Sequence, residues 1–143
     1  MATLTTNPNA STLNLPDIRQ AHWLMRLSIA GTFLFHGFEK LPALEAGAAF
    51  FGLPVWLWTL VATVEIAVGL AIVAGGALRN TAGDILTRVA GIGAIAIMIG
   101  AIYLVHWGQW SNLPSETHPA GGMEFQTLLL AVGLFFTVRG NNA

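Results

Sequence analysis

PVWLWTLVATVEIAVGLAIVAG, running from Pro54 to Gly75, is the stretch on which the fold turns, because it is predominantly apolar and carries a single charged residue, Glu65. A helix rises 1.5 Å per residue, so roughly 20 such residues match the ~30 Å hydrocarbon core of a bilayer. Working outward, three further segments meet or approach that length, at about 21–41, 86–107 and 122–139. The breaks between the four carry Pro42, then Gly52-Leu53-Pro54, then Gly75-Gly76 with Arg79-Asn80, and finally the polar run from Gln109 to Gly122 with Pro114 and Pro119. Such residues stop helices and start turns. The reading is an all-α, integral membrane four-helix bundle over residues 21–139, in which short connections make sequential helices antiparallel neighbours.

Composition agrees. Of 143 residues, 55% are hydrophobic and only 9% charged, too apolar for an ordinary soluble domain. A net charge of −1, with six Lys/Arg scattered singly, offers no basic patch, so no nucleic-acid partner is expected. The absence of Cys excludes disulfides, thiolate metal sites and thiol redox chemistry on this chain. Residues 1–20 are polar, with a cation only at Arg19, and lack the basic-then-apolar order of a cleaved signal. They read as a cytoplasmic tail, disordered to about Leu13, with Pro16-Asp17 as a helix start.

Cations near helix ends are retained in the cytoplasm. Arg19, Arg26, Arg79, Arg88 and Arg139 fall on one side of the expected bundle and only Lys40 on the other, while the loop between the third and fourth helices has no Lys or Arg. Both termini are therefore expected in the cytoplasm, in a multi-pass protein of a bacterial-type inner (plasma) membrane. Trp56, Trp58, Trp107 and Trp110 then fall at the outer interface and Trp23 at the inner one. Small residues four apart suit close helix contact, and Ala67-Ala71-Gly75 and Ala96-Gly100 are two such stripes.

Glu65 lies about eleven residues, or ~16 Å, below the outer start of its helix. An intramembrane carboxylate is a functional-site hypothesis that requires a partner. The same arithmetic puts Arg26 ~22 Å below the outer end of the first helix, within reach of Glu65 by its long side chain. Arg26 and Glu65 are thus expected to pair, either to move a proton or only to fix helix registry. At the outer end, His36, Glu39 and Lys40 share a face of the first helix, Tyr103, His106, Trp107 and Trp110 follow helical spacing on the third, and Glu124 opens the fourth. His36, Lys40, Tyr103, His106 and Trp107 form a rim suited to a quinone head group: imidazole or ammonium to a carbonyl oxygen, aromatic faces around the ring. The alternative is an interfacial belt with side chains reaching water. Nothing around His36 and His106 is diagnostic of a metal or haem, and no metal is expected.

At FHGFEKL (Phe35 to Leu41), FGLPVWLWTLVATVEIAVGLAIVAG (Phe51 to Gly75) and AIYLVH (Ala101 to His106), the chain resembles the DoxX family of small four-helix membrane proteins. The matching features are Arg26, Gly37 with Lys40, Gly52-Leu53-Pro54, Glu65 with Gly69-Leu70, and His106, and the resemblance runs from Arg26 to the C-terminus. His36 and the Gln109–Gly122 loop with His118 are not part of it. The resemblance implies a membrane subunit linked to quinone redox chemistry, since namesake relatives belong with thiosulfate:quinone oxidoreductase and others with oxidative-stress complexes. Beyond lipid, the expected partners are other membrane-complex subunits or a redox protein carrying the electron donor. Two other classes stand beside this one: a non-catalytic accessory subunit of a larger respiratory or photosynthetic complex, and a small transporter or channel using Glu65.

Overall fold

The computed structural model describes residues 20–142, so the tail reading of residues 1–13, the Pro16-Asp17 start and Arg19 lie outside the described residues. Helix α1, His22–Lys40, ends where Leu41, itself still helical at φ −61° and ψ −40°, meets Pro42, which has no N–H to continue the hydrogen-bond ladder. The chain tightens there into a 3-10 turn, Leu41–Ala43, with proline at its start. A short helix not anticipated in the sequence follows, α2, Leu44–Phe50. Gly52, at φ +64°, takes the left-handed conformation that ends it. Pro54, extended at φ −62° and ψ 139°, then leads into α3, Val55–Ala77.

Helix α4, Thr81–Ala101, begins five residues earlier than expected because Asn80 caps it, its side-chain oxygen accepting from the Gly83 N–H at 2.9 Å. It continues as a π-helical turn, Ile102–His106. After a loop comes α5, Glu124–Arg139, with Gly140 at φ +57° turning the chain into a final turn, Gly140–Asn142. No strand occurs among the described residues. Two helices, Val55–Ala77 and Thr81–His106, are long and apolar enough to cross a membrane.

Helix α1 packs on α3, α3 on α4 and α4 on α5, while α2 lies against α3. Ile29, Ala30 and Phe33 of α1, Val68 and Ile72 of α3, Ala90, Ala94 and Met98 of α4, and Leu129 and Phe136 of α5 make one buried core. The outward faces are apolar too: Leu27, Leu60, Leu70, Val89, Ile92, Leu128 and Val138 are all exposed. An apolar surface this continuous requires an apolar surrounding.

Close helix approach is made by residues other than most of those expected. Of the two anticipated stripes, Gly75 is buried, against Thr87 and Gly83, but Ala67 and Ala96 are exposed and Gly100 faces open space. The tight contacts come from Gly37, where a Cβ would meet Ile66 and the Ala62 carbonyl, from Gly69 against Leu34 and the Ala30 carbonyl, and from Gly91 beside Thr137 and the Gly133 carbonyl. These glycines set the antiparallel register that places every polar side chain discussed below.

Candidate functional site

With Gly37 opposite Ala62–Ile66 and Ala30 opposite Gly69, Glu65 stands level with the last turns of α1. Side chains on a helix lean toward its N-terminus, so Lys40 at the end of α1 points back along the helix and into the bundle. Its Nζ donates to Glu65 Oε2 at 2.7 Å and to the His36 carbonyl at 3.0 Å. Both partners are well buried, the side chains 14% and 7% exposed. The Trp58 ring lies 5.2 Å from Nζ and tilts against Phe51, with ring centres 5.1 Å apart.

The expected Arg26–Glu65 pair does not form. Arg26 falls two turns further along α3, where its Nη1 donates to the Ile72 carbonyl at 2.8 Å and to Thr87 Oγ1 at 3.1 Å. Its Nη2 donates to Asn141 Oδ1 at 2.9 Å, and its guanidinium carbon lies 4.7 Å from the centre of the Phe136 ring. Depth arithmetic put the two side chains within reach, but the glycine-set register separates them by about 10 Å along α3. The carboxylate's partner is Lys40.

Across the bundle His106, 8% exposed, sits at the end of the π-helical turn. Its Nδ1 lies 2.8 Å from the Gly121 carbonyl and its Nε2 3.0 Å from Gln126 Nε2. A carbonyl only accepts, so Nδ1 carries the proton, and Nε2 accepts from the Gln126 amide. The loop that supplies Gly121 is braced by its own bonds: Gly122 N–H to Ser111 O, Met123 N–H to Gln109 O, and His118 Nε2 to Trp107 O, each at 2.8–2.9 Å.

One cavity of about 890 Å³ joins these groups. His36, Lys40, Glu65, His106 and Gln126 line it, with Phe51, Leu57, Trp58, Leu104 and Phe125 among its apolar walls and Asn112 and Ala120 reaching in from the loop. Its size falls in the range of small-molecule sites. Of the rim expected from the sequence, His36, Lys40 and His106 are brought together. Tyr103 and Trp107 are not: they are 76% and 68% exposed and face away. Spacing along an α-helix grouped them with His106, but the chain leaves α geometry at Ile102 and is extended by Trp107. Glu124 is exposed, accepting from the Asn112 N–H at 3.2 Å.

Trp58 and Gln126 were missed as site residues. Trp58 reads as an interfacial belt residue, and Gln126 stands in an apolar helix with no spacing pattern to mark it. Both carry a buried polar atom without a hydrogen-bond partner, Trp58 Nε1 and Gln126 Oε1. Both of these atoms are closed off from the cavity space, so what the wall offers is the Lys40 ammonium beside the aromatic faces of Phe51, Trp58 and Phe125. Those are the groups needed to hold a flat, oxygen-bearing ring, so the residues present fit a quinone.

No curated protein and no solved structure matches the chain. A family model, DoxX, matches residues 21–107, from the start of α1 to the end of the π-helical turn, leaving the braced loop and α5 beyond it. Covered over more than half its length by that model, and carrying two helices long and apolar enough to cross a bilayer, the chain is a membrane protein that belongs to the DoxX family.

Proposed function

We propose that this chain is the membrane subunit of a quinone-linked oxidoreductase and that its cavity holds the quinone head group. The observation that carries the reading is the convergence of Lys40, paired with Glu65, and His106 on one aromatic-walled cavity, in a molecule whose outer faces are apolar. A quinone dissolves in the lipid that such faces require, and reaches the cavity without crossing water. When bound, the group accepts or releases two electrons and two protons. The chain's own residues would orient it: Lys40 as donor to oxygen, Phe51, Trp58 and Phe125 against the ring. The electron donor belongs to a partner subunit or redox protein, because this chain lacks Cys for thiolate-ligated redox centres.

The membrane placement follows the same reading. All four long helices span, with the cavity at the outer face and the Arg26 end at the cytoplasmic face of a bacterial-type inner membrane. Arg79, Arg88 and Arg139 support this, lying at the Arg26 end, where Gln20 and Asn142 also line a common pocket. Lys40 is the one cation at the cavity end among the described residues. Both termini are then cytoplasmic. A reporter fused after Ser115 is expected outside and one after Asn80 inside; a cytoplasmic Ser115 reporter would reverse the orientation.

Binding is tested with the purified chain in lipid nanodiscs, titrated with a short-chain benzoquinone while its tryptophan fluorescence is followed. Saturable quenching is expected. Gly100 lines the cavity and a Cβ there meets nothing within 4 Å, so Gly100→Leu adds bulk from an uncrowded position on the wall and should abolish the saturable phase. If the wild-type chain shows no saturable binding and purifies instead within a larger complex whose subunit covers the cavity, the chain is an accessory subunit.

A further inference from the structure

Helices α3 and α4 meet closely along only part of their length. Toward the Arg26 end they touch: a Cβ on Gly75 would collide with Thr87 and the Gly83 carbonyl, and one on Gly93 with Val68. Toward the Lys40 end that contact is lost, since a Cβ on Gly100 meets nothing within 4 Å. Just beyond it, Ile102–His106 leave α geometry for a π-helical turn, a common cause of helix bending. The space left between the two helices belongs to the cavity, for Leu60 and Val64 of α3 and Ala96 and Gly100 of α4 all line it. Leu60, Ala96 and Leu104, a further lining residue, are also exposed on the outside of the bundle. The cavity therefore has an apolar side opening, cut between the two helices that are long and apolar enough to cross a membrane. Glu65 and Leu60 are five residues apart on α3, about 140° around the helix, so the ion pair with Lys40 faces the interior while Leu60 stands at the outer edge.

Resting on the quinone-site reading above, we propose that this opening seats the hydrocarbon tail of the quinone: the site takes tailed, lipid-borne quinones, with the ring at Lys40 and the tail leaving between Leu60 and Ala96. The other ways out suit a tail poorly. At the outer end the cavity is edged by Glu39 and Asn112, both exposed, and a tail sent that way would be left in water. Toward the Arg26 end the contact of Gly93 with Val68 shuts the gap between α3 and α4. Through the side opening a tail passes from one apolar surface to another, and the small residues on the α4 side, Ala96, Gly100 and Ala101, leave the gap unfilled. Continuity with the buried Lys40–Glu65 pair favours a chain that carries its own polar ring over a phospholipid chain, whose charged head stays at the membrane surface.

The test titrates the nanodisc-embedded wild type and Ala96→Phe with a tailless dimethoxy-methyl-benzoquinone and with its decyl-substituted form, reading saturable tryptophan quenching. Each compound partitions into lipid equally for both proteins, so the ratio of affinities isolates the opening. Ala96→Phe should weaken the decyl form about tenfold or more, the scale of a bulky group forced into occupied space, and leave the tailless form within about twofold. Val89→Phe, exposed on the same helix but away from the cavity, should alter neither, and thermal melts of both variants identify any loss of fold. A diazirine at the end of the decyl tail should label the wild type around Leu60, Ala96 and Leu104, which decides the matter even if Ala96→Phe does not fold. A folded Ala96→Phe that weakens both compounds equally, or neither, overturns this inference and leaves the quinone site standing. So does a phospholipid carrying the same diazirine in its acyl chain, if it labels those residues and excess decyl-benzoquinone does not displace it. Failure of the wild type to bind either compound overturns the site itself and this inference with it.

Discussion

The two ends of the bundle each bury a cation, and they do so in opposite ways. At one end Arg26, fully buried, spends its donors on neutral oxygens from three directions: Ile72 on α3, Thr87 on α4, and Asn141 after α5. Asn141 completes the knot, donating through Nδ2 to the Gly75 and Leu78 carbonyls and through its backbone N–H to Asp84. At the other end Lys40 meets one carboxylate and one carbonyl, beside a cavity whose wall keeps two polar atoms unpartnered. Each end leaves two buried polar atoms unpartnered, Arg26 Nε and His22 Nδ1 at the first and Trp58 Nε1 and Gln126 Oε1 at the second; what differs is that the Arg26 end is closed by bonds tying α1, α3, α4 and the final turn together, while at the open end Lys40 and Glu65 line a cavity. Bonds from one cation to several elements mark a joint that holds helices together; a buried ion pair beside a cavity marks a place where a ligand can bind.

The largest expected effect lies at the closed end. Arg26→Leu takes a donor from the Ile72 and Gly140 carbonyls and from Thr87 Oγ1 and Asn141 Oδ1, which keep only their bond to each other, and a loss of about 2–4 kcal/mol is expected. Folded protein on detergent size exclusion should fall sharply. Arg26→Lys should rescue little, because an ammonium cannot address acceptors spread over three helices as a planar guanidinium does. Wild-type behaviour of either variant would show that the knot is not what joins the ends of the chain.

At the open end the pair itself can be isolated by a double-mutant cycle. Glu65→Gln or Lys40→Met alone leaves a buried charge uncompensated, and each should cost a few kcal/mol. Together they should cost less than their sum, with a coupling of about 0.5–3 kcal/mol in thermal melts. The matching cycle between Arg26 and Glu65 should be additive to within about 0.5 kcal/mol, since the two share no partner. Coupling in the second cycle and none in the first would return Glu65 to Arg26.

The contrast between the ends also explains what the sequence disclosed. The long apolar runs and their Pro and Gly breaks announced the long helices, because hydrophobic length is a local property. Arg26, Glu65, Lys40 and His106 stood out for a related reason: polar groups in apolar runs demand an explanation. Pairing was another matter. It depends on which glycine of one helix meets which carbonyl of the next: Gly37 and Gly69 stand in the family pattern without any sign of what they touch, and Gly91 looks like any other small residue. The seven residues of α2 are too few for periodicity to reveal. The π-helical turn at Ile102–His106, which separates His106 from Tyr103 and Trp107, has no signature in AIYLVH. Gln126 became visible only through the direction of a hydrogen bond.

The smallest effect expected is at the two aromatics left outside the cavity. Tyr103→Ala should change stability by less than about 0.5 kcal/mol and leave quinone affinity unaltered, because its side chain is exposed and lines no cavity. Trp107→Ala should behave alike in binding. A tenfold loss of affinity in either variant would move the site from the cavity to the rim.

The most direct test of the central claim is photolabelling in native membranes with an azido-benzoquinone, followed by mapping of the modified residues. The account predicts label on the cavity wall, within the α2–α3 segment around Phe51 and Trp58 or the α5 turn around Phe125. That label should be removed by excess unmodified quinone and by Gly100→Leu. Label that persists in Gly100→Leu, or that is confined to the outward face around Tyr103 and Trp107, would contradict it.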